Sequence, residues 1–227
     1  MKDHAIILFT RIPTPGKTKT RLQPFLTGEE CCILQRAFIR DIYSVLRQAE
    51  ADILVCYAPE GNFAELESLA PGANAFFPQS GSDLGSKMHN AICHVLGIGY
   101  RRCLLIGSDI PLLKTKDVDE ALRFLNDHDI SICPSGDGGY YLIGMNEPCE
   151  AVFRLEKYSV STVIDNTIAA ISASGKSCAI GACAMDIDTP QDLIILAEKL
   201  KLEPPDACIE TRMVLKKLEP KLQAENP

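Results

Sequence analysis

Four cations, Arg11, Lys17, Lys19 and Arg21, crowd the segment RIPTPGKTKTRL in a chain whose net charge is −7. Arginine offers a planar fork that matches phosphate oxygens, and lysine offers a mobile point charge. Gly16-Lys17-Thr18 has the ending of a phosphate-binding P-loop. That loop also needs a glycine at position 11, where this chain has Arg11. Pro13 and Pro15 lack the backbone N–H groups that a phosphate cradle uses. The segment is therefore not a P-loop. It is expected to bind phosphate through side chains, with Gly16 allowing a tight turn. The plainer alternative is a solvated basic loop.

Acidic residues recur at matching places. LLIGSDIP puts Asp109 at the end of an apolar run, with Gly107 before it and Pro111 after it. A carboxylate there can hold a divalent cation (Mg or Mn) that bridges a diphosphate, because Mg²⁺ takes one or two carboxylates with phosphate oxygens and water. It can equally cap the next turn. In AMDIDTPQDL, Asp186 and Asp188 flank Ile187, and alternation puts both on one side of the chain. One can complete the metal site while the other fixes the loop. In PSGDGGYYLIG, Asp137 stands among Gly136, Gly138 and Gly139. It can serve as a general base or accept a sugar hydroxyl. Asp-Gly is also the strongest short hairpin signal, and the two readings weigh equally.

These residues need a frame that gathers loops. Apolar runs at Ala5–Thr10, Ala51–Ala58, within Arg101–Pro111, in DISICP, in Gly139–Met145 and in SCAIGACAMDI read as strands; NAFFPQ is a shorter one. Helical spacing falls between them. Thr27 and Glu30 form a capping box before a helix reaching Ala49. Further helices are expected at Asn62–Leu69, from Leu84, at Thr115–Asn126 and at Ser159–Ser174, the last closed by Gly175. Thr189, Pro190 and Asp192 are N-cap, N1 and N3 of another. A final helix is expected at about Asp206–Leu218. Strand–helix alternation argues for an α/β fold with a mostly parallel central sheet covered on both faces. Ligands of such sheets sit at the carboxyl ends of strands, which points to the loops after Thr10, around Gln79, after Ile106, around Asp137 and after Met185. Residues 1–202 are expected to form one domain and 203–227 a helical tail.

The acidic balance argues against nucleic acid as a partner. No apolar run approaches a membrane span, and MKDHAIILFT lacks a signal peptide's features, so a cytoplasmic protein is expected. The ten cysteines contain no Cys-x-x-Cys, and several lie in strand-like runs, as buried thiols do.

FTRIPTPGKTKTRL, QSGSDLGSKM, LLIGSDIP, DGGYYLIG and DIDTPQDL occur in this order. Together they resemble the bacterial glycosyltransferase family of the nucleotide-diphospho-sugar transferase (GT-A) superfamily, associated with arsenosugar biosynthesis and long carried as a domain of unknown function. The chain is more distantly similar to 2-phospholactate and molybdenum-cofactor guanylyltransferases. The resemblance spans roughly Ala5 to Leu200. It implies a Rossmann-like three-layer α/β/α domain in which Arg11, Gly16, Lys17, Lys19 and Arg21 meet phosphates. Gln79 and the turn from Gly81 to Gly85 would lie near base and ribose. Asp109 would bind metal and nucleotide, with Asp188 as second metal ligand and Asp137 as catalytic residue. The family's Asp-x-Asp is incomplete, since position 107 is Gly and position 111 is Pro. The implied activity is metal-assisted glycosyl transfer from a nucleotide-sugar to a small-molecule acceptor. Nucleotidyl transfer with release of pyrophosphate is the alternative, and a non-catalytic nucleotide-sugar binder is a third.

Overall fold

The structure is a computed structural model that describes residues 3–154 and 162–224. Strand β1 (His4–Arg11) lies centrally in a seven-stranded sheet of order β3-β2-β1-β4-β6-β5-β7. The others are β2 (Asp52–Ala58), β3 (Ala75–Pro78), β4 (Arg102–Gly107), β5 (Ile130–Pro134), β6 (Tyr140–Met145) and β7 (Cys178–Ile180). All pairs are parallel except those of β6, which runs antiparallel to both β4 and β5.

The unbroken apolar run of β1 follows from burial on both faces. Ile6 and Leu8 join one core cluster, while Ala5 and Ile7 join the other. The first cluster lies under α1 (Gly28–Leu46), α2 (Phe63–Leu69), α4 (Thr115–Phe124), α6 (Pro190–Leu200) and α7 (Ile209–Ala224). The second lies under α3 (Leu84–Gly97) and α5 (Val163–Ala173). The result is the expected three-layer α/β/α arrangement. The strand order reverses between β1 and β4, and such a switch point opens a crevice at the strands' carboxyl ends.

Local signals set the helix starts. Thr27 and Thr189 are N-caps with complete capping boxes to Glu30 and Asp192, and Pro190 opens α6. Asp83 caps α3 in the same way with Ser86. The structure departs from the sequence expectation at β7 and at the last helix. SCAIGACAMDI supplies only the short β7 and an isolated bridge from Ala184 to Ser135. The last helix starts and ends later than expected, and its Val214, Leu215 and Leu218 join the first core cluster. Helix α5 is described from Val163; the expected start at Ser159 lies outside the described residues. Among the described residues no helix is long and apolar enough to cross a membrane. The ten cysteines are free thiols.

Candidate active site

The loop after β1 is built to hold its cations in place. The N–H groups of Lys17 and Thr18 donate to the Thr14 carbonyl, and the Thr18 hydroxyl accepts from Thr14 N–H at 2.7 Å. Gly16 has φ +78°, and a Cβ on Gly28 would stand 2.8 Å from the Gly16 nitrogen. The loop therefore rests directly on the first turn of α1, and only glycine at 28 allows that approach. Lys19 takes a left-handed backbone (φ 48°, ψ 47°), which is uncommon for a residue with a Cβ.

Lys19 is the centre of the site. Its ammonium lies 2.6 Å from Asp109 Oδ1 and 3.3 Å from Asp188 Oδ1, and its side chain is 5% exposed. It donates to the Ile187 carbonyl at 2.5 Å and sits 5.6 Å above the Phe38 ring. Arg21 pairs with the other Asp188 oxygen at 3.1 Å. The Ile187 N–H donates to the Asp109 carbonyl, joining the two acidic loops through backbone as well. Three segments far apart in sequence thus meet at one ammonium group.

A second network fixes the strand ends beneath this cluster. The Thr10 hydroxyl donates to Ser108 Oγ at 2.8 Å. The Gln35 amide, buried in α1, donates to the same Oγ at 2.9 Å and to the Ser108 carbonyl at 3.2 Å. Gln79 donates to the Thr10 carbonyl at 3.0 Å. The ends of β1, β3 and β4 are thereby clamped to α1.

Asp137 sits in the β5–β6 hairpin, where one carboxylate oxygen accepts from Ser135 Oγ at 2.6 Å and from Gly139 N–H at 2.9 Å. Asp137 is thus a hairpin turn residue, and it also lines the cleft. Nearby Asp186 is pushed up to about 6, first by burial and then by the charge of Asp137, with Asp188 and Asp192 adding to it.

These groups line one cleft of about 1180 Å³. Pockets for a single small ligand span about 300–1,000 Å³, so there is room for a nucleotide and a second substrate. Arg11, Gly16, Lys17, Lys19, Arg21, Gln79, Asp109, Asp137 and Asp188 all border it. Gly81 and Gly85 do not. They serve the start of α3 instead: a Cβ on Gly81 would strike Ser86 Oγ, and Gly85 is buried in the first helical turn. From that region it is Leu84, Lys87 and Met88 that line the cleft. Lys87, Gln35, Ser108 and Glu60 are lining residues that the sequence did not single out. Lys87 and Ser108 lie within QSGSDLGSKM and LLIGSDIP, and Gln35 is a polar residue on the apolar stripe of α1 beside Leu34 and Phe38.

Asp109 and Asp188 are the two cleft carboxylates that meet at Lys19, and they could hold a divalent cation. Among the described residues no group of three or more His, Cys, Asp or Glu gathers as a self-sufficient metal centre. Two carboxylates converging on one cationic point, open to a cleft, suit a magnesium-type ion whose other ligands are phosphate oxygens and water.

The profile of a family described as "Uncharacterized protein conserved in bacteria (DUF2064)" matches residues 40–160. The chain belongs to this DUF2064 family. The matched stretch carries Gln79, Lys87, Ser108, Asp109 and Asp137, while the basic loop and Asp186–Asp188 lie on either side of it. The chain is 30% identical over 142 residues to the 2-phospho-L-lactate guanylyltransferase of Methanocaldococcus jannaschii, covering 62% of this chain and 60% of that protein. It therefore spans about three-fifths of the length of that relative. It is 26% identical over 198 residues to the enzyme of the same name from Methanosphaera stadtmanae, with 83% and 82% covered. A crystal structure from Desulfovibrio desulfuricans G20, provisionally described as a nucleotide-diphospho-sugar transferase, superposes with TM-score 0.91 at 29% identity over 99% of this chain and 98% of that one.

Proposed function

We propose that this chain is a nucleotide-dependent transferase whose reaction is nucleotidyl transfer from a nucleoside triphosphate to a phosphate-bearing acceptor. One observation carries the reading. Arg11, Lys17 and Lys87 line the cleft without a carboxylate partner among the described residues, opposite Asp109 and Asp188. Unpaired cations in an acidic protein suit a polyphosphate chain. The similarity to guanylyltransferases supports the same reading.

In this reaction an acceptor phosphate oxygen bonds to the α-phosphorus. The bond from that phosphorus to the bridging oxygen breaks, and pyrophosphate leaves with the electron pair. Arg11, Lys17 and Lys87 hold the triphosphate and stabilise charge on the departing pyrophosphate. Asp109 and Asp188 would hold a divalent cation, which supplies further positive charge at the same phosphates. A phosphate monoester has a second pKa of about 6, so it is already a nucleophile at neutral pH. Asp137 then orients the acceptor rather than deprotonating it.

Glycosyl transfer from a nucleotide-sugar is the second reading, favoured by the extensive match to the D. desulfuricans structure. There Asp137 would deprotonate an acceptor hydroxyl. The product separates the two. A thermal-shift panel of nucleoside di- and triphosphates and nucleotide-sugars, with Mg²⁺, Mn²⁺ or EDTA, first identifies the donor; a ligand at 100 times its Kd adds about 2.7 kcal/mol of stability. Turnover with phosphorylated acids is then followed by pyrophosphate release. Nucleoside diphosphate as the product would overturn nucleotidyl transfer in favour of glycosyl transfer. Binding without either product would leave a nucleotide-binding protein.

A further inference from the structure

The seat between Asp109 and Asp188 already holds a positive charge. Lys19 Nζ stands 2.6 Å and 3.3 Å from one oxygen of each carboxylate and takes the Ile187 carbonyl as a third acceptor. Its three N–H donors are thus spoken for, and its side chain is almost wholly shielded from water. A magnesium-type ion needs its oxygens at about 2.0–2.1 Å in octahedral array. An ion bound to those same Asp109 and Asp188 oxygens would press against the ammonium, where shielding from solvent strengthens the repulsion. The two cations cannot share the seat.

We infer that Lys19 and a divalent cation are alternative occupants of the Asp109–Asp188 seat, so that the metal enters only together with a phosphate-bearing ligand. The ammonium leaves the carboxylates when phosphate oxygens replace them as acceptors; Asp109 Oδ1 and Asp188 Oδ1 are then free for the metal, while Arg21 keeps Asp188 Oδ2. Lys19 can make this exchange because it lines the cleft itself. Its carbonyl stays fixed meanwhile, accepting from Leu22 N–H and from Cys31 Sγ. Only the side chain has to swing. The seat thereby acts as a gate that rejects free metal ions and accepts metal–nucleotide. The inference rests on the proposed role of Asp109 and Asp188 as metal ligands.

The test is Mn²⁺ binding to the full chain, read by equilibrium dialysis as the excess Mn²⁺ on the protein side, which leaves out metal chelated by free pyrophosphate. It is done with and without inorganic pyrophosphate, on wild type, Lys19→Met and Asp109→Asn. Wild type is expected to bind Mn²⁺ weakly alone and strongly with pyrophosphate. Lys19→Met, which removes the competitor, is expected to bind Mn²⁺ alone roughly tenfold more tightly than wild type or better. Asp109→Asn should bind poorly in both conditions. If wild type takes up Mn²⁺ alone as tightly as it does with pyrophosphate, the gate is refuted while the metal site stands; this arm needs no variant to fold. Equal Mn²⁺ affinity of folded Lys19→Met and wild type refutes it too. If pyrophosphate gives no protein-bound Mn²⁺ that Asp109→Asn abolishes, the metal reading itself is wrong and the gate goes with it.

Discussion

Arg11, at the end of β1, and Lys17, in the loop after it, line the cleft with no carboxylate partner among the described residues, whereas Arg21 is committed to Asp188. Hydrogen bonds to charged groups contribute about 1.5–3 kcal/mol each. Arg11→Ala and Lys17→Ala are therefore expected to weaken nucleoside triphosphate binding by roughly 10- to 100-fold each, with a loss that shrinks at high salt. Titration calorimetry at two salt concentrations checks this, and unchanged affinity in both variants would remove the loop from the phosphate site. Asp137→Asn tests the chemistry at the same scale. Transfer to a phosphate acceptor predicts a fall in kcat of less than about tenfold, since no base is required. A fall of 10²–10⁴ is the general-base signature and would shift the reading to a hydroxyl acceptor. Residue types at Arg11, Lys17, Asp109 and Asp137 were enough to mark the cleft from sequence. The partner of Lys19 was not legible, because it is chosen by the meeting of loops 90 and 169 positions away; local sequence holds no trace of that.

Two helix termini divide structural work from site work. The Asp192 carboxylate accepts from the N–H of Asp188, the N–H of Thr189 and the Thr189 hydroxyl. One side chain therefore caps α6 and sets the loop that presents Asp188. Asp192→Ala is expected to cost about 1 kcal/mol of stability, as lost caps do, and to weaken metal–nucleotide binding as well. Arg212 makes the comparison. Its guanidinium donates to the carbonyls of Leu200, Glu203, Pro204 and Ala207, tying α7 to the end of α6 far from the phosphate loop. Arg212→Met is expected to cost about 2–3 kcal/mol while nucleotide affinity stays unchanged in protein that remains folded. Urea unfolding beside calorimetry reads both quantities, and a parallel loss of affinity in the two variants would show that Asp192 acts only through global stability. The caps at Thr27 and Thr189 were legible because a capping box is written within four residues. The reversed direction of β6 was legible only in its turn, where Asp137-Gly138 gives a hairpin signal, since its apolar run looks the same whichever way a covered strand points. β7 was overread for a related reason. Strand-like residues continue past Ile180, but Gly181 to Met185 find only one further bridge to pair with.

Across the whole molecule, burial of both sheet faces explains why thiols are so frequent in the strands and why they are quiet. Cys56 packs in the second core cluster and Cys133 in the first. Burial pushes the Cys56 thiol up to about 12 and the Cys133 thiol up to about 11, from an ordinary 9.0. Tyr100, which donates to Asp52 at 2.8 Å, is raised from 10.0 to about 12, first by burial and then by that carboxylate. In each case the folded value lies above the unfolded one, so the unfolded chain gives up its proton first. Their contribution is complete below pH 9 and is lost as pH climbs through 9 toward 12. A thiol that ionises only in the unfolded chain removes up to about 1.4 kcal/mol per pH unit. The urea midpoint is accordingly expected to hold steady from about pH 7 to pH 8.5 and to fall steeply by about pH 10.5. Cys56→Ala leaves a smaller side chain and lowers the midpoint at neutral pH, yet it should make the alkaline fall shallower by removing one of the groups that drive it. A flat midpoint from pH 8.5 to 10.5, or an unchanged slope in Cys56→Ala, would mean that the thiols reach solvent without unfolding and that the doubly covered sheet opens far more readily than its packing implies.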